Sequence, residues 1–137
     1  MRQVRASNER AQQGDLAGAV GDAQALAGAV DAARRRVERA RAAIAAATGS
    51  CDGGGRAAFA TIAHLAHRDR YLRRLRHQLD AAHGELVRAE ARHRGQLEVV
   101  DVARGRLAVA RAEREIIERH FAAWRAERRK LAERRED

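Results

Sequence analysis

The chain has 137 residues, no proline, 3% aromatic residues and a formal charge of +9, with Lys130 its only lysine. That length allows one domain at most, and the aromatic and β-branched content is too thin for a sheet or for a globular core of ordinary bulk. Cys51 is the only cysteine, which excludes an intrachain disulfide, and no run approaches the eighteen or so uncharged apolar residues of a membrane span.

The opening segment, Met1 to Arg10, is polar and does not resemble a secretory signal, so a cytoplasmic location is expected. From Leu16 a seam of small and apolar residues begins: Leu16, Ala19, Ala23, Leu26, Val30, Ala33, Val37, Ala40, Ile44, Ala47. Its steps alternate three and four, the heptad signature of a helix that supercoils with a partner. Extrapolated backwards, the seam meets Gln12, Glu9, Arg5 and Arg2. Gly14, Gly21 and Gly28 recur every seven residues away from it. They fit tolerated surface positions or a groove where another backbone packs closely. Helix one is predicted over about 2–48, followed by a glycine-rich turn over 49–56.

Helix two is predicted over about 57–135, on the order of 110–120 Å at 1.5 Å per residue. Phe59, Ile62 and Leu65 form an apolar cluster just past the turn. A second seam then runs Leu72, Leu75, Leu79, Ala82, Leu86, Ala89, turns polar at His93 and Gln96, and resumes through Val100, Ala103, Leu107, Ala110, Arg114, Ile117, Phe121, Trp124, Arg128 and Leu131. The fold class is therefore all-α: a two-helix antiparallel coiled-coil hairpin with a long C-terminal helix extending past the paired region. With residue 48 set opposite residue 57, residue 16 lies near residue 89. Strong pairing is then expected to end at Ala89, where the second seam turns polar, with Val100 and Leu107 weakly covered. Ile116, Ile117, Phe121, Trp124 and Leu131 are left without an intrachain partner, as anchors for another protein, for self-association, or for a longer first helix. Aromatics flanked by arginines are typical of interface anchors. Arg114 and Arg128 on the seam call for acidic groups opposite them.

Chemistry is sparse. Asp52-Gly53-Gly54-Gly55-Arg56 lacks the Gly-Lys-Ser/Thr ending of a phosphate loop. Cys51, His64 and His67 match no zinc spacing and lack a fourth ligand, and no group is evident to orient a histidine base beside Cys51. His77, His83 and His120 are scattered, and Glu133 and Glu136 sit in an arginine-rich tail where surface ion pairs explain them. No enzyme activity, cofactor or metal is expected.

The pattern resembles the small coiled-coil stalk proteins of type III secretion, the FliJ and YscO family. The likeness is carried by the single basic, proline-free hairpin, by the turn followed by Phe59-Ala60-Thr61-Ile62, and by the end, from Ala112 through Arg114-Glu115-Ile116-Ile117-Glu118-Arg119-His120-Phe121-Ala122-Ala123-Trp124-Arg125 to the alternating Arg and Glu that follow. The resemblance implies a central stalk that binds the hexameric secretion ATPase and couples it to the export gate at the cytoplasmic face of the inner membrane. Some members also bind export chaperones. Carried onto this chain, Arg114, Ile117, Phe121, Trp124, Arg125, Arg128 and Leu131 are candidate ATPase contacts. Phe59, Ile62 and Leu65 are candidate export-gate contacts. A monomer when free is expected, with no membrane insertion and no stable nucleic-acid binding.

Two alternatives come from the residues alone. Arginine and alanine enrichment matches a GC-rich genome, yet the positive field is real and attracts nucleic acid, anionic lipid or acidic protein. A basic nucleic-acid-binding coiled coil would need arginines clustered on one face, whereas the arginines here spread around the helix. A structural coiled-coil dimer without a motor partner would bury Phe121 and Trp124 between copies.

Overall fold

Alanine along one face and arginine with glutamate on the others favour uninterrupted helix, and no proline breaks it. The computed structural model describes residues 2–49 and 62–136, apart from the side chains of 2, 62, 63, 135 and 136. They form α1 (Arg2–Gly49) and α2 (Ile62–Glu136), with no strand among the described residues. Near the end of α1 the Thr48 hydroxyl donates to the Ile44 and Ala45 carbonyls at 2.9 and 3.0 Å. This is back-bonding to carbonyls of the preceding turn, which the helix ladder already uses and which the hydroxyl shares. Gly49, the first residue of the turn predicted over 49–56, is the last of α1; the rest of that turn and the predicted first turn of helix two, 57–61, lie outside the described residues.

The two helices pack against each other in two compact units. In the first, Met1–Ala23 with Gln96–Asp137, Leu16, Ala19, Val20 and Ala23 meet Val100 and Ala103. Arg5 pairs with Glu113, and Gln96 donates to the Ala19 carbonyl at 3.2 Å, so the strands of contact run antiparallel. In the second, Gln24–Gly95, Val30 and Ala33 meet Ala89 and Leu86. Arg34 bonds Glu90 at 3.2 Å and Arg36 bonds Glu85 at 2.6 Å, again antiparallel.

Every residue of the first seam, and every residue of the second from Leu72 to Ala110, is buried or half-buried. The pairing between them differs from the sequence expectation. Ala89 meets Val30 and Ala33 rather than Leu16, a displacement of two heptads along α1. Val100 and Leu107, expected to be weakly covered, are only 3% and 6% exposed. Strong pairing does not end at Ala89, and Gln96 marks a hydrogen bond to the α1 backbone rather than the limit of contact.

The reason lies in heptad symmetry. A shift by whole heptads keeps both seams in phase, so the apolar pattern cannot choose between registers. What differs is the cover. The expected register would bury Arg68 opposite Val37 and give Val100, Ala103, Leu107 and Ala110 weak cover at best. The observed one buries those four and leaves Arg68 only half-buried. With Cys51 replaced by serine, cysteines at Ala33 and Ala89 are expected to form an intrachain disulfide on mild oxidation, whereas cysteines at Leu16 and Ala89 remain free thiols. Non-reducing gel mobility and thiol titration check both.

Candidate partner-binding segment

The polar beginning of α1 continues the heptad in another chemistry. Glu9 occupies a seam position and its side chain is only 7% exposed. It accepts from Arg114 Nη1 at 2.6 Å, Arg111 Nε at 3.4 Å and Gln13 Nε2 at 3.3 Å. The buried carboxylate thus lies between two guanidiniums that reach solvent. Arg114, expected to seek an acid on another protein, has one from its own chain, and its Nε also lies 3.4 Å from Glu118. Ile117 is likewise not bare: it lines a shallow depression with Gln3, Arg5, Ala6, Arg114 and Glu118. The expectation that it has no intrachain partner is corrected by the longer reach of α1 along α2.

Beyond Ile117 the seam changes character. Phe121 and Trp124 stack with ring centroids 5.5 Å apart and planes inclined by 28°. Each ring carries a guanidinium from one turn on: Arg125 lies 4.8 Å from the Phe121 centroid and Arg128 lies 5.1 Å from that of Trp124. The spacing is that of residues four apart on a helix, which places one side chain over the previous turn. Such cation–π contacts contribute about 0.5–1 kcal/mol each at exposed sites. They hold the aromatic and cationic groups in one ordered strip. Phe121 is half-buried, whereas Trp124 and Leu131 remain 50% and 54% exposed. Ile116 is exposed off the seam.

The second predicted contact cluster is not assembled among the described residues. Phe59 and the side chain of Ile62 lie outside them, and Leu65 is 52% exposed near the start of α2. Cys51 also lies outside the described residues, and among those described no group of three His, Cys, Asp or Glu side chains could hold a metal ion. No described helix is long and apolar enough to cross a membrane.

One feature is hidden when charge is summed over the whole chain. Residues 24–95 carry 14 arginines against 7 acidic residues, a net of +7, whereas the remainder carries 14 basic against 12 acidic residues, a net of +2. A windowed charge count would have found this. No family model, curated protein or solved structure matches the chain.

Proposed function

We propose that this chain is the central-stalk and adaptor protein of a type III secretion apparatus. In this role it binds the hexameric export ATPase and couples it to the export gate at the cytoplasmic face of the inner membrane. The observation that carries the proposal is the strip on α2 past Ile117. There the coiled-coil seam continues as Trp124, Arg128 and Leu131 with half or more of the apolar surface exposed, ordered by stacked arginines. A row of similar cationic contacts tolerates rotation against acidic pore loops. The chain contributes no catalytic group of its own to the motor.

Because Arg114 is engaged by Glu9, the partner-facing charges in this proposal are Arg125 and Arg128. Reversing both to glutamate is expected to weaken binding to the export ATPase by at least about tenfold and to remove its stimulation, as loss of an interface anchor does. Isothermal titration and steady-state ATP hydrolysis measure the two effects. Unchanged affinity together with unchanged stimulation would overturn the assignment.

A further inference from the structure

We infer that the outer face of α2 between His64 and His77 is a docking surface for an anionic phospholipid bilayer. This stretch holds five arginines, Arg68, Arg70, Arg73, Arg74 and Arg76, and one acid, Asp69. Leu72, Leu75 and Leu79 turn inward, and Arg68 is half-buried beside them. Arg70, Arg73, Arg74, Arg76, His67 and His77 are all exposed. Helical spacing puts Arg70, Arg73 and Arg74 with His67 and His77 on the side away from the leucines, with Arg76 toward one flank.

Carboxylates are scarce around them. Some arginines elsewhere meet one, Arg34 with Glu90, Arg36 with Glu85, Arg104 with Asp101 and Arg119 with Glu115, whereas others such as Arg35, Arg88 and Arg106 do not among the described residues. Here Asp69 is taken by Arg73 at 2.5 Å. Among the described residues Arg70, Arg74 and Arg76 form no ion pair with a carboxylate. Arg70 donates to the Ala66 carbonyl at 3.3 Å, and Arg74 lies 5.3 Å from the Tyr71 ring centroid. His67, Arg70, Tyr71 and Arg74 line one shallow depression. The face thus presents several uncompensated guanidiniums with a tyrosine among them.

Three observations favour a lipid surface over single-stranded nucleic acid. The cations lie on the convex outside of a helix, which meets a flat field of phosphates along its length, whereas single strands are held in grooves. One face of the Tyr71 ring is covered by Arg74 and offers no open platform for a base. Tyrosine and arginine side by side suit the headgroup layer, where an amphipathic ring and a phosphate-binding fork are both satisfied. A cluster of four to eight basic residues on a helix gives about fivefold in affinity per charge at an anionic membrane. This is peripheral attachment, and it does not rest on the ATPase assignment.

The test is co-sedimentation of the full chain with vesicles of phosphatidylcholine alone or mixed about 7:3 with phosphatidylglycerol, at about 0.1 M salt. Wild-type protein is expected to pellet with the anionic vesicles and not with the neutral ones, and less so as salt rises. The variant R70E/R74E/R76E is expected to lose at least roughly 100-fold in partitioning. The neutral R70Q/R74Q/R76Q, which guards against unfolding by charge reversal, is expected to lose at least about tenfold with its helical circular dichroism intact. R106E/R129E/R134E carries the same charge change on the other unit and is expected to lose less than about threefold. Equal losses from the two reversed triples would overturn the proposal. So would equal binding to neutral vesicles, or failure to pellet with anionic vesicles while duplex DNA binds through the same three arginines.

Discussion

Replacing Glu9 by lysine is expected to destabilise the fold by about 3–5 kcal/mol. The side chain of Glu9 is 7% exposed and receives bonds from Arg114, Arg111 and Gln13. A lysine there sets a third cation beside two guanidiniums at a position closed to water. The arginines are half-exposed and can swing outward, but the ammonium cannot leave the seam without opening the helix pair. Domains of ordinary stability have about 5–15 kcal/mol in total, so the change is a large fraction of it. The urea midpoint should fall sharply at unchanged slope. Glu9→Gln keeps the shape and one acceptor while removing the charge, and is expected to cost about 1.5–3 kcal/mol. The graded pair separates charge from packing. A lysine variant no worse than the glutamine one would show that the cluster opens to solvent without loss.

Glu9 also shows how far the residues alone could lead. The seam from Leu16 to Ala47 and its counterpart from Leu72 to Ala110 were legible because heptad spacing is a local property, and each of those positions is covered in the structure. The backward extension through Gln12, Glu9 and Arg5 was legible as spacing but not as packing. Polar residues at seam positions ordinarily mark a frayed end, and only their opposite numbers, Arg111 and Arg114 for Glu9 and Glu113 for Arg5, tie them to α2. Register was hidden for a deeper reason. Whole-heptad shifts preserve the apolar pattern, so the choice depends on long-range polar pairs and on which arginines stay wet. At the candidate site, Trp124 and Leu131 were read from the surplus of seam beyond the paired helix. The engagement of Arg114 and Ile117 could not be read, because both depend on that register. The basic face at Arg70, Arg74 and Arg76 was hidden by averaging over the whole chain.

Alanine at Gly14, Gly21 and Gly28 together is expected to raise stability by about 1.5–3 kcal/mol. All three lie inside α1, where glycine loses more backbone entropy on folding than alanine does. Whether that gain is realised depends on room for the new methyl groups. A Cβ built at each position meets nothing within 4 Å. Among the described residues none of the three therefore serves close packing, and added methyls introduce neither clash nor strain. The effect should be nearly additive, since the sites are two turns apart and share no partner. Thermal unfolding by circular dichroism is expected to shift upward on the order of 5–10 °C. Gly84 provides the internal contrast, because a Cβ there meets the Arg88 guanidinium at 3.4 Å. Its alanine variant should gain no more than any one of the three, since the new methyl restricts a mobile side chain. A triple variant that lost stability would mean that these glycines pack against a second backbone in solution, and a concentration-dependent melting temperature of the wild-type chain would then accompany it.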